Sequence, residues 1–183
     1  MAMLLAFAPF IGFAVVTNFA GSAPGLVCGA LIAAGVLARD CLVLRKAPKV
    51  LEIGTFILFG ALAVVTVLGV ANWSILGVRL RVDAGLLLIV LVSIALRRPF
   101  TLQYAREQTE PAIWQSPVFI RTNYIITAAW ALAFLVMVAA DLVMLYMPNV
   151  PTYVGVVATV AAIVGAIRFT NWYPDHLRAR HAG

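Results

Sequence analysis

Five polar residues sit inside stretches that are otherwise hydrocarbon, and they are the first candidates for chemistry. Asp141 stands within a long apolar run, seven residues before Pro148. At about 1.5 Å of rise per residue it lies roughly 10 Å from that helix end. Arg79, Arg81 and Asp83 open another apolar stretch, and Asn18 lies near the end of the first. Ionisable groups within spans are costly and are functional hypotheses by default. The five can form one buried polar cluster. Its plain explanation is an Asp–Arg pair that neutralises itself and locks two helices together; the functional one is an outward-facing vestibule for an ion or substrate.

A second set lies in the one long polar loop, RRPFTLQYAREQTEPAIWQSPVFIRTNY, which carries Arg97, Arg98, Tyr104, Arg106 and Trp114 and leads to Asn123 at the start of the next apolar run. Nearby in type are Arg39, Asp40 and Glu52, which flank another turn, and Trp172 and Tyr173 in the tail. Basic groups with aromatics beside spans are the ordinary positive flank and aromatic belt of a membrane protein. The same chemistry suits anionic lipid headgroups or a docking partner.

The catalytic inventory is thin. His176 and His181 both lie in the tail, so no intramembrane pair can ligate haem, and no zinc spacing appears. There is no Gly-rich phosphate loop and no nucleophile elbow. The lysines, Lys46 and Lys49, fall in a loop, so a buried retinal-type Schiff base is excluded. Cys28 and Cys41 are thirteen residues apart in one segment, so they read as packing residues rather than a redox or metal pair. No catalytic residue, metal or cofactor is expected, and the chain reads as a non-enzyme.

Helices that span a bilayer must position these groups. The chain has 183 residues, 64% of them hydrophobic and only 11% charged. A soluble domain carries about a quarter charged residues. Long continuous apolar runs favour helices over alternating barrel strands. The net charge of +6 has no soluble surface on which to form a nucleic-acid stripe, so no nucleic-acid partner is expected. The opening MAMLLAFAPF lacks a basic region before its apolar stretch, so it reads as a retained span rather than a cleaved signal.

With roughly 20 apolar residues needed per span, the sequence predicts a single all-α, polytopic domain over 1–183. Six transmembrane helices fall at about 3–19, 24–44, 51–70, 78–96, 119–146 and 152–169, with an interfacial loop at 97–118. Pro9 could kink the first. The fourth is the weakest, because it reaches full length only by including Arg79, Arg81 and Asp83. The loop should hold a short helix to about Gln108, a turn, and an amphipathic turn ending at Pro117. A polar tail should follow Phe169.

Basic residues decide orientation. Arg39, Arg45, Lys46, Lys49, Arg97, Arg98, Arg106, Arg121, Arg168, Arg178 and Arg180 fall on one side and Arg79 and Arg81 on the other. That bias predicts both termini in the cytoplasm. Small residues at four-residue spacing, Gly25 with Gly29, Ala30 with Ala34, Ala158 with Ala162 and Ala161 with Gly165, serve either packing within the chain or a homo-oligomer seam, and the chain is expected to self-associate as a homo-oligomer.

An ordered set of features resembles the intracellular septation protein A family of small bacterial inner-membrane proteins. The set comprises LLAFAPFIGFAVV with Pro9, Arg45-Lys46 before segment three, Arg97-Arg98-Pro99-Phe100 after segment four, and Trp114 before a fifth segment opening with Asn123 and reaching Trp130-Ala131 and Phe134. The TLQYAREQTEP loop and the longer outer end of segment five depart from that pattern.

The resemblance implies a non-enzymatic inner-membrane protein supporting envelope growth and septation, with division or elongation membrane proteins as partners; membrane lipids are expected partners from the basic flanks. Its expected working surface is Arg97, Arg98, Tyr104, Arg106 and Trp114. The competing readings are a small transporter or channel for a lipid or solute, with water reaching Asp141, and an accessory subunit of a larger membrane assembly.

Overall fold

The computed structural model describes residues 5–147 and 149–181, and among them every regular element is helical. The helices are α1 (Ala8–Ala20), α2 (Ser22–Ala38), α3 (Val50–Val67), α4 (Ile75–Ala95), the short α5 (Phe100–Arg106), α6 (Pro117–Tyr146) and α7 (Thr152–His181). Ser22–Val43, Val50–Val67, Pro117–Tyr146 and Tyr153–Leu177 are long and apolar enough to cross a membrane. Packing separates two compact units, Met1–Ile89 and Val90–Gly183, with the division inside α4.

The first unit is built from hairpins of adjacent helices. Gly21 alone joins α1 to α2, at φ 90°, a value that L side chains resist. Pro9 occupies the first turn of α1 and so starts the helix rather than kinking it, since its missing N–H lies where no intrahelical acceptor is needed. The helices of this hairpin approach closely at Gly25, where a side chain would collide with Thr17. A Cβ on Gly29 would lie 2.7 Å from the Phe59 ring of α3. These two glycines therefore serve packing within the chain. Phe13, Leu26, Phe59, Ala63, Val78 and Val82 form the core they allow.

The second unit centres on α6 and α7, packed along their length from Met144 against Gly155 to Trp130 against Thr170. The last helix is longer than the sequence indicates, because α7 runs through Pro174 to His181 instead of ending near Phe169. Proline removes one hydrogen bond in such a position, and the flanking turns carry the helix on. The short α5 packs against α6, and a single turn of 3₁₀ helix, Pro111–Ile113, leads to α6 at Pro117, close to the loop organisation expected.

Candidate functional site

The most concentrated polar site lies in the first unit, where the sequence marks only a basic flank. The apolar stripe of α2 runs Leu26, Gly29, Ala33; seven residues beyond Ala33 the same stripe reaches Asp40. On α3 the inward stripe holds Glu52, Thr55, Phe59 and Ala63. The connection between α2 and α3 drops Lys49 between the two carboxylates. Its Nζ donates to Asp40 Oδ2 at 3.0 Å and to Glu52 Oε1 at 2.9 Å. Lys49, Asp40 and Glu52 are 4%, 7% and 5% exposed, so the three charges are buried together. Lys49 does lie in the loop before α3, but the inference that no lysine is buried is corrected: carboxylates on both helices draw its ammonium inward.

Local backbone geometry builds this site. Arg39–Val43 is a π-helical turn closed by Leu44 N–H to Arg39 O at 3.0 Å, and Lys46 N–H reaches back to Asp40 O at 2.9 Å. Arg45 between them has φ 50°, unusual for a residue with a side chain. Lys49 precedes α3 as its N-cap, and its backbone N–H donates to Glu52 Oε2 at 3.3 Å. An ammonium cannot accept a bond in return, so only the reverse half of a capping box forms. Thr55, on the same face, has a buried hydroxyl with no hydrogen bond among the described residues.

The remaining polar residues of this unit behave differently from one another. Asp83 is buried. Arg81 lays its guanidinium 4.2 Å from the Trp73 ring centroid and donates from Nη1 to Gly77 O at 2.7 Å. Arg79 is partly buried on the same helix, whereas Asn18 is exposed and belongs to no buried cluster, because the end of α1 turns it outward.

In the second unit, Asp141 is completely buried on α6. Asn123 is buried too, its Nδ2 donating to Phe119 O at 2.9 Å. Around it lies a hydroxyl network absent from the sequence reading. Thr101 Oγ1 donates to Asn123 O at 2.8 Å and lies 2.7 Å from Thr127 Oγ1, while Trp130 Nε1 donates to Thr170 Oγ1 at 2.9 Å.

Of the five residues expected at a docking surface, Arg97 and Arg98 are exposed. Tyr104 is not: at 2% exposure it is part of the core, because α5 turns Phe100, Thr101, Leu102 and Tyr104 inward together. Arg106 lies over Trp114 at 5.9 Å, and Trp114 Nε1 donates to Thr109 O, so both are half-buried members of the loop.

Arg97 takes the left-handed conformation at φ 55°. Arg97 N–H bonds Ile94 O and Arg98 N–H bonds Ser93 O, both at 2.9 Å, the two bonds of a Schellman cap. Ser93 then accepts from Phe100 N–H at 3.2 Å, tying the end of α4 to the start of α5.

The described residues contain no group of three or more His, Cys, Asp or Glu side chains placed to hold a metal ion. The site and fold thus define an all-helical protein with four helices able to cross a membrane and a buried lysine–dicarboxylate lock. No family model, curated protein or solved structure matches the chain.

Proposed function

We propose that the chain is a six-span protein of the bacterial inner membrane, with both termini in the cytoplasm, that works as a structural and interaction protein in envelope growth and septation. The observation that carries this reading is the division of its polar groups. Lys49 with Asp40 and Glu52, Thr101 with Thr127, and Trp130 with Thr170 are closed on one another inside the protein, while Arg97 and Arg98 stand exposed on a rigid capped turn. Such an arrangement resists deformation and presents charge, as a docking protein requires.

The two spans beyond the four long apolar helices are α1 and α4. The 21 residues of α4 give about 31 Å, enough for a hydrocarbon core. Its charges are partly withdrawn from lipid, Asp83 by burial and Arg81 by Trp73 and its own backbone. The eleven-to-two division of basic residues supports the orientation. A transporter built around Asp141 needs water to reach that carboxylate, and its complete burial counts against one.

Membrane lipids and proteins of the growth and division machinery are the proposed partners. The test is to replace Arg97 and Arg98 together by Gln in cells and follow in-membrane crosslinking and cell shape. Loss of a specific crosslink with altered length or septum placement is expected. Unchanged crosslinks and shape would sink the proposal.

A further inference from the structure

Lys49 takes the carboxylates of Asp40 and Glu52 out of the surface between α2 and α3, and so changes the charge that this surface shows. Residue by residue the stretch is mixed in sign. In the structure Asp40, the sole acid from position 38 to 48, is buried, whereas Arg39 and Arg45 are exposed. Between them stand Leu42 and Val43, 77% and 74% exposed. The connection therefore presents two guanidinium groups around a pair of bare aliphatic side chains, with no exposed carboxylate among them.

The backbone that carries these groups is fixed. Leu44 N–H closes the π-helical turn on Arg39 O, and the bond from Lys46 N–H to Asp40 O spans Arg45 at its left-handed φ of 50°. Single π turns inside helices are frequent at functional sites. The depth of the turn is fixed as well. Ser22–Val43 and Val50–Val67 are each long and apolar enough to cross a membrane, and so short a connection between two such helices lies at a bilayer surface, where lipid phosphates lie, whichever way the helices point.

We infer that this turn docks an anionic phospholipid. Arg39 and Arg45 meet the phosphate and its unbalanced charge, and Leu42 and Val43 enter the acyl boundary beside it. The inference rests on α2 and α3 crossing a membrane, and not on the envelope role proposed above; among the lipids named there as partners it selects a class and a place. Charge decides the class. A zwitterionic headgroup brings a positive charge beside its phosphate, and the turn has no exposed carboxylate to receive it. Two terms oppose an anion here, and neither prevails. The buried triad keeps one net negative charge, which the two arginines exceed, and the half charges at the C-terminus of α2 and the N-terminus of α3 offset each other. Lipid is favoured over an acidic protein segment because Leu42 and Val43 stand bare at the depth of acyl chains.

The experiment uses the full chain, delipidated in detergent and offered an equimolar mixture of glycerol, ethanolamine and choline phospholipids with identical acyl chains, with the first bound lipid read by native mass spectrometry. The glycerol lipid, the one with net charge, should be retained at least about fivefold over the other two. Replacing Arg39 and Arg45 together by Gln should bring it within about twofold of them, and replacing both by Lys should keep most of the preference. Arg97→Gln with Arg98→Gln, the pair that tests the envelope role, should leave the preference in place, so the two readings fail separately. All four positions are exposed, and unchanged melting temperatures would certify the fold. Equal retention of the three lipids, a preference that survives Gln at 39 and 45, a preference abolished by the changes at 97 and 98 alone, or loss of a co-purified protein instead of lipid from the Arg39 and Arg45 variant would each overturn the inference.

Discussion

Replacing Lys49 by Met would strand two carboxylates in a buried site. Removing one partner of a buried ionic group costs about 3–5 kcal/mol, because the remaining charges keep their desolvation penalty and lose their counterion. Thermal melting in detergent should show that loss for Lys49→Met. The triple variant Lys49→Met, Asp40→Leu, Glu52→Leu should recover most of it, since an apolar trio of similar volume carries no such penalty. If the single variant melted like the parent, the three groups would not be acting as a lock. Thr55 offers a sharper contrast at the same site. Its buried hydroxyl makes no hydrogen bond among the described residues, so Thr55→Val should be neutral or raise stability by up to about 1 kcal/mol. A loss of 2 kcal/mol or more in the same assay would mean that the hydroxyl has a partner.

At the scale of the helices, the end of α4 carries an unusual residue. Glycine occupies the equivalent left-handed cap position of α3, where Gly69 has φ 68° and Val70 N–H bonds Val65 O. Arg97 adopts nearly the same conformation with a full side chain, at a cost of about 1 kcal/mol. Arg97→Gly should therefore leave stability unchanged or raise it by up to about that amount while abolishing the crosslinks attributed to Arg97 and Arg98. A variant that melts lower would show that the arginine side chain stabilises the cap. The small residues of α2 and α7 also separate at this scale. Gly29→Leu should destabilise strongly, because it drives into Phe59, whereas Gly165→Leu should leave the melting temperature unchanged.

For the whole molecule, the proposed six spans with both termini inside predict a directly measurable pattern. With Cys28 and Cys41 replaced by Ala, single cysteines at Lys46, Gln108 and His176 should react with an impermeant thiol reagent only once the cytoplasmic face is opened. Cysteines at Ser22 and Asn72 should react in intact spheroplasts. Labelling of positions 72 and 108 from the same side would show that α4 does not cross. The all-helical architecture and the four long apolar helices were legible in the residue order, because hydropathy acts locally, residue by residue. The short helix of the central loop, Phe100–Arg106, was legible as well, bounded by Pro99 before it and a turn before Pro111 after it.

What local pattern could not convey is which polar groups meet. Asp40 lies seven residues past Ala33 and Glu52 seven before Phe59, so both carboxylates continue inward stripes, and that spacing was the available signal for the lock. Composition alone therefore determined that the chain is helical and hydrocarbon-facing, since a chain with so few charges can satisfy its backbone in lipid only within helices. Only the packed structure decided that Lys49 is buried, that Tyr104 belongs to the core and that Gly165 opens outward while Gly29 packs inward. Each of those outcomes depends on which neighbour a helix face meets, a contact between residues far apart in the chain that no short stretch of sequence carries.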